Sequence, residues 1–324
     1  MRTIRWGIIG CGNVTEVKSG PGFQKAGNSS LVAVMRRNAA LAQDYAGRHG
    51  VPRWYDDGAA LIADPEVDAV YVATPPSSHK GYVLACAAAG KPVYVEKPMA
   101  LDHGECEEMI AACRAANVPL FVAYYRRALP RFLKVKELID GGAIGEVRYV
   151  TVLLSQRPVA EDIDPDNLPW RVLPEISGGG RFVDMGSHTL DFLDFVLGPI
   201  RSARGHAANN AGYYPAEDCV TASFRFDSGV LGAGAWNFTG HADRDVCEIA
   251  GSLGKVSFSS FDAEPIVLET AAGRQEFAIP NPAHVQQPLI QAVVDELLGA
   301  GRSPSTGETG ARTTWVMDQI LRDG

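Results

Sequence analysis

Hydrophobic positions along the chain follow two regimes. Over the first ~120 residues, short apolar runs alternate with stretches in which apolar side chains recur at helical spacing. Runs at 4–9, 31–34, 69–73, 93–95 and 120–123 predict strands, and 39–49, 58–63, 81–89 and 104–116 predict the helices between them. Strands that alternate with helices imply βαβ units, right-handed crossovers and a parallel, doubly wound sheet. The second regime opens with a helix over 129–140, stopped by Gly141-Gly142, and a long strand over 146–154. A helical stretch at 186–197 follows. In 220–226, Val220, Ala222, Phe224 and Phe226 alternate with Thr221, Ser223 and Arg225, the period-2 mark of a half-buried strand. Asp227-Ser228-Gly229 turns the chain into 230–238, and 243–250 and 255–261 continue the meander around the turn 251–254. Two helices, 288–300 and 311–322, end the chain. The expected class is α/β, with a nucleotide-type domain at 1–122 and a second α/β domain at 123–324, whose mostly antiparallel sheet has one face covered by helices.

Composition narrows the function. The chain has 324 residues, enough for two domains, with 46% hydrophobic and 21% charged residues and no low-complexity run. A net charge of −8 disfavours nucleic acid and anionic membrane as partners. No apolar stretch approaches the ~20 residues of a membrane helix. Met1 runs straight into the first strand, leaving no room for a signal peptide, so a cytoplasmic location is expected. The cysteines Cys11, Cys86, Cys106, Cys113, Cys219 and Cys247 show no C-x-x-C spacing. They read as buried reduced thiols rather than a disulfide or zinc framework.

The loop after the first strand reads Gly10-Cys11-Gly12-Asn13-Val14. Gly10 permits a tight turn, Gly12 lets the backbone approach a pyrophosphate, and the following helix aims its free N–H groups at that anion. Thr15 stands where G-x-G-x-x-G has its third glycine, so the motif is incomplete and a ligand-free turn is the alternative. The second strand runs into Met35-Arg36-Arg37-Asn38. An NAD site usually places an acid there for the ribose 2′-hydroxyl. Arg36 and Arg37 suit a 2′-phosphate, which favours NADP over NAD unless they are simply solvated charges. Thr74, Pro75 and Pro76 end another strand and stiffen the loop on the adenine side. His79, which follows them, reads as a capping or packing residue of that cofactor loop rather than a catalyst.

Glu96-Lys97-Pro98 follows the apolar strand at 93–95. A lysine at the carboxyl end of a parallel strand lies where such sheets bind ligands. Lys97 is therefore a candidate for the proton side of a hydride transfer. Gly178-Gly179-Gly180-Arg181-Phe182-Val183-Asp184-Met185-Gly186-Ser187-His188 is the second chemical segment. Asp184 and His188 are four residues apart and share a face if the segment is helical. Burying such a pair among apolar neighbours is costly unless the two pair or face a ligand, and a satisfied core Asp–His bond is the plainer reading. The glycine triplet suggests a backbone closely approached by something else. Oxidising an alcohol needs a base near neutral pKa, which His188 supplies; Lys97 can stabilise the alkoxide and Asp184 can orient either group. One His and one Asp without matching partners do not make a metal site.

With these residues in view, the chain resembles the glucose–fructose oxidoreductase/inositol dehydrogenase (Gfo/Idh/MocA) family over essentially its whole length. The resemblance rests on GCGNV after a strand, ATPPSSH, VEKPMA, the WR…GGG…D…H segment and the last helix. It implies a Rossmann domain that binds NAD(P) and a second domain with an open, mostly antiparallel sheet that mediates homodimers or homotetramers. The last helix (311–322) is then expected to pack back on the first domain. By the same resemblance, Lys97 touches nicotinamide and substrate, Asp184 is the motif acid and His188 the catalytic histidine. Glu96 lies beside the nicotinamide ribose, and Trp170 and Arg171 reach the cofactor. Tyr124, Tyr125, Arg126 and His284 line the substrate pocket. The implied activity is NAD(P)-dependent oxidation or reduction of a sugar, cyclitol or related polyhydroxy compound. Alternatives are a catalytically silent NAD(P)-responsive regulatory protein and an enzyme of a non-sugar substrate such as a dihydrodiol.

Overall fold

The computed structural model describes residues 2–322, which leaves the outermost ends of the two expected domains outside it. The helices are α1 (Asn13–Val17), α2 (Gly20–Lys25), α3 (Ala39–His49), α4 (Gly58–Ala63), α5 (His79–Ala88), α6 (His103–Ala115), α7 (Pro130–Asp140), α8 (Pro174–Ser177), α9 (Ser187–Leu197), α10 (Gln287–Leu297) and α11 (Gly307–Leu321). The chain divides into two compact units. One contains the residues up to Leu129 together with Asn281–Ala311; the other contains Pro130–Pro280 and the residues from Arg312 onward.

In the first unit, β1 (Ile4–Ile9), β2 (Ser29–Met35), β3 (Arg53–Tyr55), β4 (Ala69–Val72), β5 (Val93–Val95) and β6 (Leu120–Val122) form one sheet in the order β3-β2-β1-β4-β5-β6. All neighbouring pairs are parallel. The order reverses between β1 and β4, and the crevice at the carboxyl ends of these strands is where such sheets take a ligand. α1 follows the glycine loop as expected, whereas β3 and α2 were not anticipated. These two span only 3 and 6 residues, too short to show a period.

Both faces of this sheet are covered. Leu61, Val83, Cys86 and Met109 from α4, α5 and α6 pack on Val70, Val72, Val93 and Val95. On the other face Phe23 of α2, Tyr45 of α3 and Leu289, Ile290, Val293 and Val294 of α10 pack on Trp6, Ile8, Tyr71, Tyr94 and Phe121. The four α10 side chains have no exposed surface, and each contributes roughly 1.5–3 kcal/mol by burial. Together with Phe23, α10 covers the aromatic side chains of β4, β5 and β6. This is the physical reason that 281–311 belongs to the first unit, where the sequence pattern assigned everything beyond 122 to the second.

The last helix, α11, is divided between the two units, its first turn grouping with the first. From Arg312 onward the helix belongs to the second unit. Arg312 grips the buried Asp194 of α9 with two hydrogen bonds of 2.8 and 2.7 Å, and the Thr313 hydroxyl donates to Asp191 at 3.2 Å.

The second unit carries β7 (Val147–Ser155), β8 (Ile200–Ala208), β9 (Cys219–Phe226), β10 (Leu231–Asn237), β11 (Arg244–Gly251), β12 (Gly254–Phe258), β13 (Ile266–Thr270) and β14 (Gly273–Phe277). Their order is β14-β13-β12-β11-β7-β10-β9-β8, with β7 and β10 parallel and the other pairs antiparallel. The expected alternation is observed: Val150, Val152, Leu154, Phe224, Phe226 and Trp236 are buried. Phe132 of α7 and Phe192 of α9 meet edge-on with ring centroids 4.8 Å apart, and Phe258 packs on Phe192 at 5.4 Å. The opposite face leaves Tyr149, Leu231 and Val246 exposed.

An ion-pair cluster clamps α1, which follows the glycine loop, to α3. Arg48 donates to Glu16 at 2.8 and 2.9 Å, and His49 approaches the same carboxylate at 2.7 Å. The Arg48 hydrogen bonds hold the Glu16 carboxyl down at about 2. A carboxyl whose pKa is depressed on folding stabilises the fold above its unfolded pKa, and that contribution fades as pH falls through the folded value. The Glu16 contribution is therefore complete above about 4.5 and is lost toward about 2. Arg48→Met should raise the Glu16 pKa, read by carboxyl-detected NMR, and should flatten the acid limb of the stability–pH curve in that window. An unchanged Glu16 titration would show that the clamp is not electrostatic.

Candidate active site

The glycine loop is held by backbone. Gly10 N and Cys11 N both donate to Met35 O, at 2.9 and 3.1 Å, which ties the loop to the end of β2. Gly10 has φ +91°, and a Cβ there would lie 2.9 Å from Thr74 N, so turn conformation and close approach both demand glycine. A Cβ on Gly12 would meet nothing closer than Gly10 O at 3.8 Å, so this side of the loop is open to a ligand. Thr15, fully buried, explains the missing third glycine. Its hydroxyl donates to Gly12 O at 2.8 Å and accepts from Gly12 N at 3.0 Å, closing the start of α1. An approaching pyrophosphate would find a glycine backbone, the first turn of α1 around Asn13 and Val14, and no side chain on Gly12 to block it. These residues fit a dinucleotide.

Arg36 and Arg37 are exposed at the end of β2, next to the carbonyl that receives the loop. Asn38 caps α3, its side-chain oxygen accepting from Leu41 N at 3.2 Å. On the far side of the loop, Thr74 receives the Ser78 hydroxyl at 2.8 Å, and Pro75 leads into a 3-10 turn, Pro76–Ser78. His79 was expected near the cofactor. Its imidazole has no exposed surface; Nε2 lies 2.7 Å from Thr74 O, and Nδ1 lies 3.2 Å from both Pro98 O and Met99 O. Burial pushes its pKa down. His79 therefore ties the loop after β4 to the loop after β5 and does not present a ring to a ligand.

Glu96 and Lys97 leave the end of β5. Glu96 is 7% exposed and takes three donors: the Tyr71 hydroxyl at 2.5 Å and Gln286 Nε2 at 2.6 Å on Oε1, and the Lys97 backbone N–H at 3.1 Å on Oε2. The Tyr94 hydroxyl donates to Gln286 Oε1 at 3.1 Å. Burial pushes both phenols well above their usual pKa, so both remain donors. The Lys97 side chain is half-buried. Sequence reading missed Tyr71 and Gln286. A signal existed for Tyr71: it and Tyr94 are register partners in two fully buried strands, and a buried phenol needs a partner. Gln286 offered none.

The expected substrate residues of this unit diverge. Tyr124 is fully buried within the core cluster around Val122 and Met99, which makes it a packing residue. Tyr125 and Arg126 lie in the 3-10 turn Tyr125–Ala128, the guanidinium over the ring at 5.3 Å. His284 has Nδ1 2.7 Å from Val17 O and Nε2 2.7 Å from Lys25 Nζ, so it joins α1 and α2.

In the second unit, Asp184 lies in a π-helical turn, Phe182–Gly186, that runs directly into α9. The expected α-helical start is thus widened by one residue per turn, a device frequent at functional sites. Its carboxylate lies 3.5 Å from Arg171 Nε, and Arg171 covers the Trp170 ring at 4.6 Å. His188, 4% exposed, sits in the first turn of α9 with its ring edge-on to Phe261 at 5.9 Å. The glycine triplet has an internal cause. A Cβ on Gly179 would lie 2.4 Å from Val183, and one on Gly180 2.8 Å from Glu217 O. Gly180 N also donates to Glu217 Oε1 at 2.9 Å. What approaches that backbone is the chain's own 216–217 segment. Burial raises the pKa of the Glu217 carboxyl. Beside it, Arg181 forms a paired hydrogen bond with the buried Asp162, at 2.7 and 2.5 Å. Among the described residues no group of three His, Cys, Asp or Glu side chains could hold a metal ion.

Both halves of the chain match known protein families. Residues 4–124 match the oxidoreductase family with an NAD-binding Rossmann fold, and residues 132–257 match the GFO/IDH/MocA C-terminal domain. The chain is 42% identical over 316 residues to oxidoreductase P35 of Formosa agariphila, covering 97% of each protein. It is 28% identical to the 1,5-anhydro-D-fructose reductase of Ensifer adhaerens, covering 94% of this chain and 92% of that one. A levoglucosan dehydrogenase solved with NADH and levoglucosan superposes with a TM-score of 0.86 at 22% identity, covering 98% of this chain and 96% of the other. With both halves matched in order, the chain belongs to the Gfo/Idh/MocA family of NAD-binding oxidoreductases.

Proposed function

We propose that the protein is an NADP-preferring dehydrogenase or reductase. It would move a hydride between nicotinamide and a secondary alcohol or ketone carbon of a sugar, cyclitol or related polyhydroxy compound. The observation that carries this reading is Lys97, half-buried at the carboxyl end of β5 and braced through its backbone by a buried carboxylate. When bound, the dinucleotide supplies or accepts the hydride. Lys97 serves the substrate oxygen: its ammonium favours the alkoxide that develops as hydride leaves the carbon. His188 carries the hydroxyl proton, and Asp184, with Arg171 against it, sets the charge around that histidine. Gly10, Cys11, Gly12, Asn13 and Val14 line the pyrophosphate. Thr74, Pro75 and Pro76 border the adenine side, and Trp170 and Arg171 add contacts. Tyr125 and Arg126 are the polar groups offered to substrate hydroxyls. The sugar-acting relatives support the substrate class.

Preference for NADP rests on Arg36 and Arg37, exposed where an NAD site usually places an acid. A cytoplasmic site of action is supported by six cysteines that are all free thiols. No helix among the described residues is long and apolar enough to cross a membrane. The open face of the second sheet is read as a homodimer or homotetramer surface, since Tyr149, Leu231 and Val246 are 47%, 60% and 36% exposed on it.

Four outcomes are expected. Absorbance of reduced nicotinamide should report turnover in a panel of 1,5-anhydro-D-fructose, levoglucosan, inositols and a dihydrodiol, tested with both cofactors; no turnover of any polyhydroxy compound would defeat the substrate class. Lys97→Ala and His188→Ala should each lower kcat by about 10²–10⁴-fold with cofactor affinity retained, and near-normal turnover in either would refute its role. Arg36→Glu should cut kcat/KM for NADP by roughly 10–100-fold and spare NAD, whereas equal loss with both would remove the 2′-phosphate argument. Leu231→Glu should shift the mass in light scattering toward the monomer; an unchanged mass would exclude this face as the interface.

A further inference from the structure

We propose that Gln286 is a positioning residue for Lys97, acting through Glu96 from a segment 190 residues away in the chain. The inference rests on the proposed role of Lys97 and adds a residue to it. Gln286 has no exposed surface, and each of its polar groups is committed. Its backbone N–H donates to Lys18 O at 3.1 Å, directly after α1, and its carbonyl accepts from Ile290 N at 2.9 Å in α10. Its side-chain oxygen accepts from Tyr94, and its side-chain nitrogen donates to Glu96. Gln286 therefore joins, by its backbone, the end of α1 that follows the glycine loop and, by its side chain, the turn after β5 that carries Lys97.

The consequence for Lys97 is mechanical. Glu96 N donates to Val72 O at 2.8 Å, which leaves the Glu96 side chain to hold the next peptide through the Lys97 N–H. Glu96 can do so only while its carboxylate is turned toward that N–H, and two donors on the opposite oxygen keep it there. Tyr71 supplies one from within the sheet and Gln286 the other from α10. Loss of the Gln286 donor leaves a buried carboxylate short of a partner and a Tyr94 hydroxyl without its acceptor, and a carboxylate so placed will reorient. A displacement of ~1 Å at a reacting group costs about 10²-fold in rate. The titratable groups facing Gln286 are Tyr71 on β4, Tyr94 on β5 and Glu96 beyond it. His284, two residues earlier, is turned to Val17 O and Lys25.

Amide hydrogen exchange on the ligand-free chain tests the bridge without any substrate. Gln286→Leu should speed exchange of the Lys97 N–H about tenfold, with the β1 and β2 amides unchanged. Turnover of 1,5-anhydro-D-fructose with NADPH should fall about 10²-fold in kcat, with KM and cofactor Kd held. Gln286→Glu adds a readout that packing alone would not move. Protonated, the new carboxyl donates to Glu96; ionised, it repels it. Its kcat should therefore approach wild type at low pH and fall as pH rises, a limb absent from the wild-type profile. Tyr71→Phe removes the other donor with little change of shape, and should show the same exchange effect if Gln286→Leu does not fold. Wild-type exchange at Lys97 in both Gln286→Leu and Tyr71→Phe, or a Gln286→Glu profile merely scaled down, overturns the proposal. Failure of the functional reading looks different: Lys97→Ala would then retain turnover while the exchange result still stood.

Discussion

A carboxylate buried at the end of a parallel strand imposes the main constraint on the first unit. Glu96 is removed from water at the end of β5, where the sheet engages its backbone N–H, at Val72 O, but not its carboxylate. Its burial is tolerable only if donors converge on it from several directions. They come from β4, from the next peptide and from α10, so three segments distant in sequence must be in place at once. The same demand explains the architecture around it. α10 covers the aromatic face of β4 and β5, and the residue that caps its start, Gln286, delivers the amide that completes the carboxylate's shell. Hydrophobic burial and polar satisfaction are met by one helix, which is why the chain returns to this unit after building the other.

The neighbouring loops follow the same logic of buried polar groups tying backbone together. His79 faces carbonyls from the turns after β4 and β5, and Thr15 closes the first turn of α1 where a third glycine would have been. Side chains that look like ligands in the sequence thus spend their polar atoms on the scaffold. Beside them lie the open backbone at Gly12 and the exposed Arg36 and Arg37. This division suits hydride transfer, which needs reacting groups held rigidly and a cofactor site made largely of backbone.

In the second unit the chemistry is carried by a short distorted segment. The π-helical turn puts Asp184 opposite Arg171, and α9 continues from it carrying His188 and two buried aspartates. Asp191 and Asp194 are neutralised or hydrogen-bonded by α11, and Glu217 holds the glycine triplet that leads into the turn. These buried acidic groups are therefore paired with named partners, and the segment's odd sequence reflects close packing as much as reactivity.

The fold class, the strands of the parallel sheet and the alternating strands of the second were legible because apolar period is a local property: Val220, Phe224 and Phe226 or the run at 93–95 declare their burial within a few residues. Gly10, Lys97 and the Arg36-Arg37 pair were legible for the same reason, being short motifs at strand ends. The identity of what they touch was not. That the glycine triplet meets 216–217, that His79 faces backbone, that Tyr124 is core and that residue 286 completes a shell around residue 96 all depend on side chains meeting across long loops. Such meetings leave no period and no spacing in the chain. They are set by which faces must be covered and which buried donors must be matched once the sheets have formed, and only the tertiary structure decides that.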